Sequence, residues 1–342
     1  MKYIVLFGGS SYEHEISIIS AITIKKIIKN EVIFIYCDEF RHFYLIKNEN
    51  MHIKTFINKA YIKDKLFLNY GGFFASNIWG KRPINANIII NLIHGQDGED
   101  GKVASLLEFY GLKYLGPNIE ASVISYNKIF TKFYAKNLGI NTINYEIINQ
   151  NSKKNYNNFP CIIKPVHLGS SIGISVARNQ KEFDYALDVG FEYDDELIIE
   201  PFINNILEYN LAGCKINNEF IFSSVEEPFK KDLLDFDTKY LSFSNENKVK
   251  KANIIPSLEH ELKENFKKIY NDLFTGALIR CDFFVLDDKV YLNEINPNPG
   301  SMAHYLFDDF NSVLDKLALN LKNEKNIKIN YKLLYSIKGA KV

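Results

Sequence analysis

Three short apolar runs in the first third of the chain place the strongest constraint on its fold. They are rich in β-branched side chains and cover Tyr3–Phe7, Val32–Tyr36 and Ile88–Ile93. Strands that are apolar on both faces are typical of a parallel sheet covered by helices. The first run meets two glycines and then a helical pattern over Ser17–Ile28. The pattern predicts an α/β fold that opens with a doubly wound parallel sheet.

The size and charge of the chain limit its architecture and its partners. Its 342 residues exceed the roughly 100 to 200 residues of a typical domain, so two or three domains are expected. The 41 Lys and Arg residues balance the 41 Asp and Glu residues, and no overall charge attracts nucleic acid or an anionic membrane. A phosphate-bearing ligand must therefore be held by local chemistry, and no nucleic-acid partner is expected.

The cysteine pattern and the first residues favour the cytosol. The four cysteines are scattered, with no CxxC pair and no histidine at metal-binding spacing, so neither a zinc site nor a disulfide framework is predicted. Met1–Phe7 is too short for the apolar segment of a signal peptide, and no apolar run approaches the roughly 18 residues that span a bilayer. We expect a cytoplasmic protein with reduced thiols and no membrane segment.

The middle of the chain alternates helical and strand patterns. Helical spacing covers Lys102–Tyr110 and Ile119–Leu138, and each helix stops at a glycine. A new unit is expected to begin within the second helix. Short apolar runs at Cys161–Ile163 and Leu197–Glu200 predict strands. The polar stretch Lys230–Lys251 has no periodicity, and we expect a mobile loop there.

The last clear strand signals predict a β-hairpin. They cover Leu278–Leu286 and Val290–Ile295, with Asp287–Lys289 between them. If the turn takes all three of these residues, Leu286 pairs with Val290. A two-residue turn would instead pair residues of opposite index parity along the whole ladder. The pairing of residues in a structure distinguishes the two.

Polar side chains at alternate positions of this hairpin form a candidate metal site. Arg280 and Asp282 lie two residues apart on the first strand, so they share a face of the sheet. Glu294 and Asn296 do the same on the second strand. The three-residue turn would set Asp282 opposite Glu294 and Arg280 opposite Asn296. Carboxylate and amide oxygens are magnesium ligands, whereas the spacing alone fits a solvated hairpin equally well. Apolar neighbours on both strands favour the site.

Glycine-rich loops follow several of the predicted strands. Lys164–Gly173 can bring backbone N–H groups and hydroxyls close to phosphate oxygens, although it matches neither Walker A nor GxGxxG and fits a plain hairpin turn equally. Gly8–Glu15 and His94–Gly101 follow strands of the parallel sheet, at the edge where such sheets bind ligands. Taken singly, His94 fits a hydrogen-bonded histidine at a strand end, and Glu13 fits a helix N-terminal carboxylate.

Five segments in one order resemble the D-alanine-D-alanine ligase family of the ATP-grasp superfamily. The resemblance extends from Tyr3 to about Leu306. It implies an N-terminal Rossmann-like domain at 1–126, a central lid at 127–203 and a C-terminal catalytic domain at 204–342, the last two being α+β domains that clasp ATP. The segments are Gly8–Ser17 (GGSSYEHEIS), His94–Gly101 (HGQDGEDG), Lys164–Gly173 (KPVHLGSSIG), Asp235–Tyr240 (DFDTKY) and Arg280–Gly300.

The resemblance implies an activity. A chain of this kind would join two D-alanine molecules into D-alanyl-D-alanine for bacterial peptidoglycan precursors. The carboxylate of the first D-alanine would attack the γ-phosphate of ATP, and the amine of the second would attack the resulting acyl phosphate. ATP and magnesium, or manganese in its place, are the implied cofactors. A cytoplasmic homodimer is the implied assembly.

The resemblance also assigns residue roles. The implied ATP ligands comprise phosphate contacts, an adenine-facing hinge and a ribose ligand, and they are Lys128, Lys164, Ser171, Lys239, Glu200, Phe202, Ile203 and Glu208. Asp282, Glu294 and Asn296 would hold the metal ion. Glu13 would bind the ammonium of the first substrate, supported by Ser170 and Tyr240. The side chain of Arg280 and the N–H of Gly300 would stabilise the oxyanion, and His94 belongs to the same catalytic set.

The sequence departs from the family pattern at several positions. Asn127 stands where an Asp usually precedes the lysine, Pro201 replaces a common Lys, and the segment Asn204–Leu207 is one residue longer. Tyr305 falls where the family usually has a Ser that holds the carboxylate of the second substrate. Tyr240 favours D-alanine as acceptor, because relatives that use D-lactate commonly carry Phe there. Ligation to another acceptor such as D-lactate, and nucleotide binding without catalysis, are the alternative hypotheses.

Overall fold

Three β-sheets with flanking helices make up the described part of the chain. The structure is a computed structural model that describes residues 1–77, 80–152, 156–204, 206–228, 251–322 and 327–337. The predicted loop Lys230–Lys251, which contains Lys239 and Tyr240, lies outside the described residues except for Lys251.

The N-terminal sheet is parallel in one half and antiparallel in the other. Its parallel strands, in the order β2-β1-β7-β8, are β1 (Lys2–Gly8), β2 (Glu31–Cys37), β7 (Ile88–Asn91) and β8 (Tyr114–Leu115). The doubly wound opening is thereby confirmed. Beyond β2 the sheet continues with antiparallel strands that the sequence did not reveal, namely β3 (Phe43–Ile46), β4 (Lys65–Asn69), β5 (Gly72–Asn77) and β6 (Gly80–Pro83).

Helices connect these strands and lead out of the sheet. They are α1 (His14–Ile27), α2 (Ile53–Ile57), α3 (Lys102–Phe109), α4 (Ile119–Tyr126) and α5 (Lys128–Asn137). The long helix predicted over Ile119–Leu138 is therefore two helices. Asn127 has an extended backbone, and its Oδ1 accepts the N–H groups of Ile129 and Phe130 at 2.9 and 3.0 Å. The side chain of Asn127 thus caps α5 and interrupts the helical ladder.

The central part of the chain forms a four-stranded antiparallel sheet with one helix on it. The strands, in the order β11-β10-β12-β9, are β9 (Glu146–Asn149), β10 (Cys161–Pro165), β11 (Ser175–Ala177) and β12 (Glu196–Pro201). Helix α6 (Gln180–Phe191) buries Phe183 and Leu187 against Ile163 and Leu197 of the sheet. The loop between β10 and β11 contains the predicted phosphate-binding segment.

A second antiparallel sheet carries the polar hairpin. Its order is β14-β13-β15-β16, with β13 (Leu207–Ile216), β14 (Glu219–Phe222), β15 (Ile279–Leu286) and β16 (Lys289–Asn296). The remaining α-helices of the described ranges are α7 (Pro256–Tyr270), α8 (Phe310–Leu319) and α9 (Lys332–Ser336). No helix of the described ranges is long and apolar enough to cross a membrane.

The hairpin turn has two residues, so the pairing of Leu286 with Val290 is wrong. Leu286 pairs with Lys289, and Asp287 and Asp288 both have positive φ, as a two-residue hairpin turn requires. This turn alone would have moved the polar side chains to opposite faces.

A bulge in β16 restores their convergence. Phe283 pairs with Leu292, whereas Asp282 pairs with Glu294, so Asn293 is an extra residue in β16. Arg280 consequently lies opposite Asn296 and Asp282 opposite Glu294, as predicted.

One hydrophobic core joins the first and last parts of the chain. The same cluster of buried side chains contains Val5 and Phe7 of β1 together with Phe266 of α7 and Phe283 of β15. The hydroxyl of Tyr3 also donates to Asp315 on α8 at 2.6 Å. The polar hairpin is therefore fixed relative to the carboxyl edge of the N-terminal sheet. The domain limits at 126/127 and 203/204 stay predictions.

Candidate active site

Glu13 is a buried carboxylate at the carboxyl edge of the N-terminal sheet. It directly precedes α1, yet its side chain makes no capping hydrogen bond. Ser170 Oγ donates to its Oε1, while its Oε2 is buried and has no hydrogen-bond partner among the described residues. A Cβ added to Gly95 would come within 2.5 Å of Oε2, so glycine leaves space beside this oxygen. The carboxylate is placed to receive a cation rather than to cap the helix.

The electrostatic surroundings of Glu13 also suit a bound cation. Burial raises its pKa from 4.5 to about 7, and the neighbouring Glu99 carboxylate adds to this effect. Burial likewise raises the pKa of Glu99 to about 8. Two carboxylates held close together out of water repel each other, and a ligand ammonium would relieve that repulsion.

His94 connects this edge to the segment that follows the polar hairpin. Its Nδ1 lies 3.6 Å from Glu99 Oε1, and its Nε2 lies 2.9 Å from Ser20 Oγ. Ser20 Oγ also accepts the N–H of Ser301 at 3.1 Å. His94 is fully buried, and burial lowers its pKa. The ring is therefore bonded between two elements, which fits a positioning role.

The residues around Gly300 are docked on the N-terminal sheet. The side-chain amide of Asn298 donates to the carbonyl of Ile93 at 3.2 Å and to that of Gly98 at 3.4 Å. Gly300 begins a short 3₁₀ helix, and the first N–H groups of a helix have no partner within it. Ser301, Met302 and Ala303 all have positive φ, a costly backbone that occurs mainly at functional sites.

The loop after β10 also has a constrained backbone. Ser170 and Ser171 both adopt positive φ, at 57° and 61°. A Cβ on Gly169 would lie 3.1 Å from Glu13 Oε1, which is tighter than usual contact. The loop therefore approaches Glu13 closely, and this approach brings the central and N-terminal parts of the site together.

The lysines predicted to contact phosphate are held in two different ways. Lys128 begins α5, and its Nζ donates to the carbonyl oxygen of Leu168 in the β10–β11 loop. Burial lowers the pKa of Lys128, whereas the carboxylates of Glu294 and Glu13 raise it. Lys128 therefore lies within electrostatic range of carboxylates on the polar hairpin and at the edge of the N-terminal sheet. Lys164 instead forms an ion pair with Glu200 at 2.6 Å.

Glu200 binds two lysines rather than one. Lys132 on α5 contacts its Oε1 at 2.5 Å, and both partners are buried. Burial alone would raise the pKa of Glu200, but Lys164 and Lys132 lower it to about 2. The carboxylate thereby fixes the position of Lys164 at the end of β10. Lys132 was not predicted, although it lies four residues after Lys128 on the same helix face.

Glu200→Gln is expected to lower the free energy of unfolding by about 3 kcal/mol at pH 7, because a pKa depressed by this much corresponds to that stabilisation. The contribution is present above the unfolded value of 4.5 and is lost as the pH falls towards 2. Urea unfolding at pH 7 and pH 3 measures it. The exposed Glu192 provides the control, and Glu192→Gln should change stability by less than ~0.5 kcal/mol. An equal loss at both pH values would contradict the assignment.

The polar face of the hairpin is a compact charged network. Arg280 holds Asp282 through two hydrogen bonds of 2.7 Å, from Nε and from one terminal nitrogen. Asn296 Nδ2 donates to the same carboxylate at 3.0 Å and lies 3.5 Å from Glu294 Oε1. Burial raises the pKa of Asp282, the Arg280 guanidinium lowers it, and the Glu294 carboxylate raises it again.

The donor set fits a hard cation. Asp282, Glu294 and Asn296 offer two carboxylates and one amide, which are oxygen donors of the type magnesium takes. The described ranges contain no group of three or more His, Cys, Asp or Glu side chains suited to a metal ion. A metal ion here would therefore complete its shell with phosphate oxygens and water. Asn296 points its nitrogen at Asp282, so the amide must turn over to offer its oxygen.

The remaining predicted residues lie on β13 and directly after β12. Glu208 lies on β13 within electrostatic range of Asp282, whose pKa it raises. Phe202 follows β12, and its N–H donates to the carbonyl of Pro160 at 3.0 Å. Ile203 follows directly, and Tyr305 is half-buried and lies near Arg280. The described contacts connect Glu13 with Ser170, Lys164 with Glu200, and Arg280 with Asp282 and Asn296, while Lys239 and Tyr240 lie outside the described residues.

The fold and the site define the class of protein. Lys128 at the start of α5 lies within electrostatic range of both Lys164 on the central sheet and Glu294 on the following sheet, so these groups belong to one charged site. Paired α+β units of this kind, joined to a Rossmann-like sheet, are the architecture of ATP-grasp enzymes.

Comparisons with known proteins narrow the class to a family. The family described as "D-ala D-ala ligase N-terminus" matches residues 2–117, and "D-ala D-ala ligase C-terminus" matches residues 134–312. The D-alanine-D-alanine ligase of Campylobacter jejuni is 58% identical over 344 residues, covering 100% of this chain and 99% of that protein. That of Wolinella succinogenes is 54% identical, again covering 100% and 99%. The chain belongs to the D-alanine-D-alanine ligase family.

A solved structure supports the same assignment. The crystal structure of the D-alanine-D-alanine ligase from Helicobacter pylori has a TM-score of 0.86 and 50% sequence identity, and the match covers 95% of this chain and 100% of that one. The chain departs from the family pattern at Asn127, Pro201 and Tyr305, yet it resembles these ligases over its whole length.

Proposed function

We propose that this protein joins two D-alanine molecules into D-alanyl-D-alanine at the expense of ATP. The observation that carries the proposal is the buried Glu13 Oε2, which has no hydrogen-bond partner among the described residues and lies in one site with Lys128 and the Arg280–Asp282 network. An anionic pocket for an ammonium group beside cationic groups for phosphate and oxyanion is what an amino-acid ligase needs. The full-length similarity to named D-alanine-D-alanine ligases supports the same substrate.

Glu13 would bind the ammonium group of the first D-alanine. Ser170 already occupies one carboxylate oxygen, so the other is left for the substrate. This arrangement orients the substrate carboxylate away from Glu13 and towards the phosphate-binding lysines. We propose Tyr240 as a further neighbour by family resemblance; it lies outside the described residues.

ATP would be held by the central and C-terminal sheets. Lys128, Lys164 and Ser171 would contact its phosphates, with Glu200 keeping Lys164 in place through the ion pair. Phe202, Ile203 and Glu208 would surround the nucleoside, and Lys239 would approach the γ-phosphate. Magnesium, or manganese, bound by Asp282, Glu294 and Asn296 would offset charge on the transferring phosphoryl group.

Arg280 would stabilise the oxyanion that forms when the second amine attacks the acyl phosphate. Its guanidinium is fixed by Asp282, so it needs no reorganisation when charge develops. The N–H of Gly300 would be the second donor. His94 would keep the Gly300 segment in position through Ser20.

We also propose a cytoplasmic location, a homodimeric assembly and a role in peptidoglycan precursor synthesis. Family resemblance supports all three. The absence of a spanning helix from the described ranges agrees with the location.

The test is ADP release against a panel of D- and L-amino acids. We expect release only when ATP, a divalent cation and D-alanine are all present, and a product with the mass of D-alanyl-D-alanine. Excess chelator should abolish release, because the donor set needs a metal ion to act on phosphate.

The alternatives predict different outcomes. If products measured across a range of pH contain D-lactate in preference to D-alanine at the second position, the acceptor is D-lactate. Nucleotide binding without turnover would indicate a protein that has lost catalysis. Equal turnover with L-alanine would contradict the proposed substrate.

A further inference from the structure

Asn127 occupies a junction between α5 and the β10–β11 loop. Its Oδ1 accepts two N–H groups at the start of α5, at 2.9 and 3.0 Å. Two N–H donors at one atom fix that atom as the oxygen, so the other end of the amide is the NH₂ group. That NH₂ group lies 2.9 Å from His167 Nε2. Asn127 therefore donates to His167.

This donation fixes the protonation of His167. A ring nitrogen that accepts a hydrogen bond carries no proton, so the proton of a neutral imidazole must be on Nδ1. His167 Nδ1 faces the carboxylate of Asp194 at 3.1 and 3.2 Å, where an N–H donor is required. Asp194 also accepts the main-chain N–H of His167 at 2.7 Å. The three side chains form one consistent neutral-histidine chain.

The same junction holds a lysine of the proposed ATP site. The N–H of Lys128 donates to the carbonyl of Val166 at 3.1 Å, and Lys128 Nζ donates to the carbonyl of Leu168. Together with the Asn127–His167 bond, residues 127–128 contact three consecutive residues of the loop, 166–168. Gly169 and Ser170, which approach Glu13, follow immediately.

We propose that Asn127 and His167 form a charge-neutral clamp that positions both Lys128 and the Gly169–Ser171 loop for the ligation reaction. This inference rests on the proposed function. Asn127 and His167 are positioning residues, since they touch the elements that carry Lys128 and Ser170 rather than the substrates.

An aspartate at position 127 would not make the same clamp. It would cap α5 equally well but would present a carboxylate to His167 Nε2. With Asp194 on the other side, only a doubly protonated imidazole could donate to both carboxylates.

Aromatic and charged side chains surround the imidazole ring of His167. The Tyr126 ring lies 6.0 Å from the imidazole. Tyr12, Asp100, Lys102 and Tyr193 line the same cleft of about 250 Å³ as His167 and Asp194. The His167 side chain is 38% exposed, so it is accessible from that cleft. None of these groups is changed in the variants below.

The decisive variant is Asn127→Asp, assayed as the ratio of its kcat/KM for ATP to that of the wild type from about pH 6 to 9. We expect a ratio near one at the acid end and a fall of about tenfold at the alkaline end, because only a doubly protonated imidazole can donate to both carboxylates. Asn127→Ala, which removes the cap and the donor, should lose activity by a similar factor at every pH. A ratio for Asn127→Asp that does not change with pH overturns the clamp.

His167→Gln supplies the matched control. Its amide oxygen can accept from Asn127, but glutamine does not titrate, so the single variant should stay within about threefold of the wild type. The double variant Asn127→Asp/His167→Gln should show no recovery at acid pH. Recovery in the double variant would assign the pH effect to another group and overturn the proposal.

A readout independent of turnover separates this inference from the proposed function. ¹⁵N NMR of the wild-type enzyme should show His167 as the neutral Nδ1–H tautomer at pH 8, and Asn127→Asp should shift it towards the imidazolium. An Nε2–H tautomer in the wild type would refute the clamp even in a fully active ligase. Wild-type protein that is inactive with D-alanine would refute the function and leave the NMR test to decide the clamp.

Discussion

Arg280→Ala is expected to lower kcat by about 10²–10³-fold, because it removes a preorganised donor to the oxyanion. The bidentate contact with Asp282 holds the guanidinium in one orientation before charge develops. The same substitution leaves Asp282 buried without its cation, which costs about 3–5 kcal/mol of stability. Thermal unfolding must therefore be measured beside the kinetics.

Two further variants separate chemistry from folding in this experiment. Arg280→Lys retains the charge near Asp282 but lacks the two-pronged geometry, so we expect a folded enzyme with a reduced kcat. Arg178→Ala removes an exposed arginine and should leave both activity and stability unchanged. A wild-type kcat in either the Arg280→Lys or the Arg280→Ala enzyme would show that Arg280 has no role in the reaction.

Glu13→Gln is expected to raise the KM for the first D-alanine by about 30-fold or more, since removing one partner of a buried charge pair costs ~2–5 kcal/mol. The wild-type KM should itself rise as the pH falls below about 7, where Glu13 becomes protonated and loses its charge. Glu15, exposed in the first turn of the same helix, is the control, and Glu15→Gln should leave this KM unchanged.

The same carboxylate should make the unliganded protein less stable. A raised carboxyl pKa means that the folded state binds more protons than the unfolded chain between pH 4.5 and about 7, so stability falls as the pH rises through that window. The stability of the Glu13→Gln protein relative to the wild type should accordingly be greatest at pH 8, and this difference in stability should decrease towards pH 5. Differential scanning calorimetry without ligands measures it. An advantage that grows on acidification would contradict a buried, strained carboxylate.

Sequence patterning predicted the parts of the fold that are buried on both faces. The strands at Tyr3–Phe7 and Ile88–Ile93 were recognisable because continuous apolar runs leave little alternative. The antiparallel strands β4 and β6 were not, because most of their side chains are exposed and their periodicity is weak. The break at Asn127 was missed for another reason: both sides of it have helical spacing, and a single capping side chain decides the boundary.

The site was predicted to the extent that its residues follow strand periodicity or a family motif. The prediction that Arg280, Asp282, Glu294 and Asn296 lie opposite one another on one face was correct. The three-residue turn on which that prediction rested was wrong. Lys132 and Glu99 were missed, because their importance arises from burial next to Glu200 and Glu13, which no local pattern reports. The role of Asn127 as a donor to His167 likewise depends on a contact between positions 40 apart in sequence.

The extra residue in β16 divides the hairpin into two parts with different strand register. Strand β15 keeps a single alignment against β13 along its whole length, whereas β16 changes alignment once, between Leu292 and Glu294. The number of residues at the tip of the hairpin therefore does not by itself determine which side chains share the polar face. A homologous chain could lengthen its tip by one residue and lose the bulge, and the same four side chains would still lie on one face.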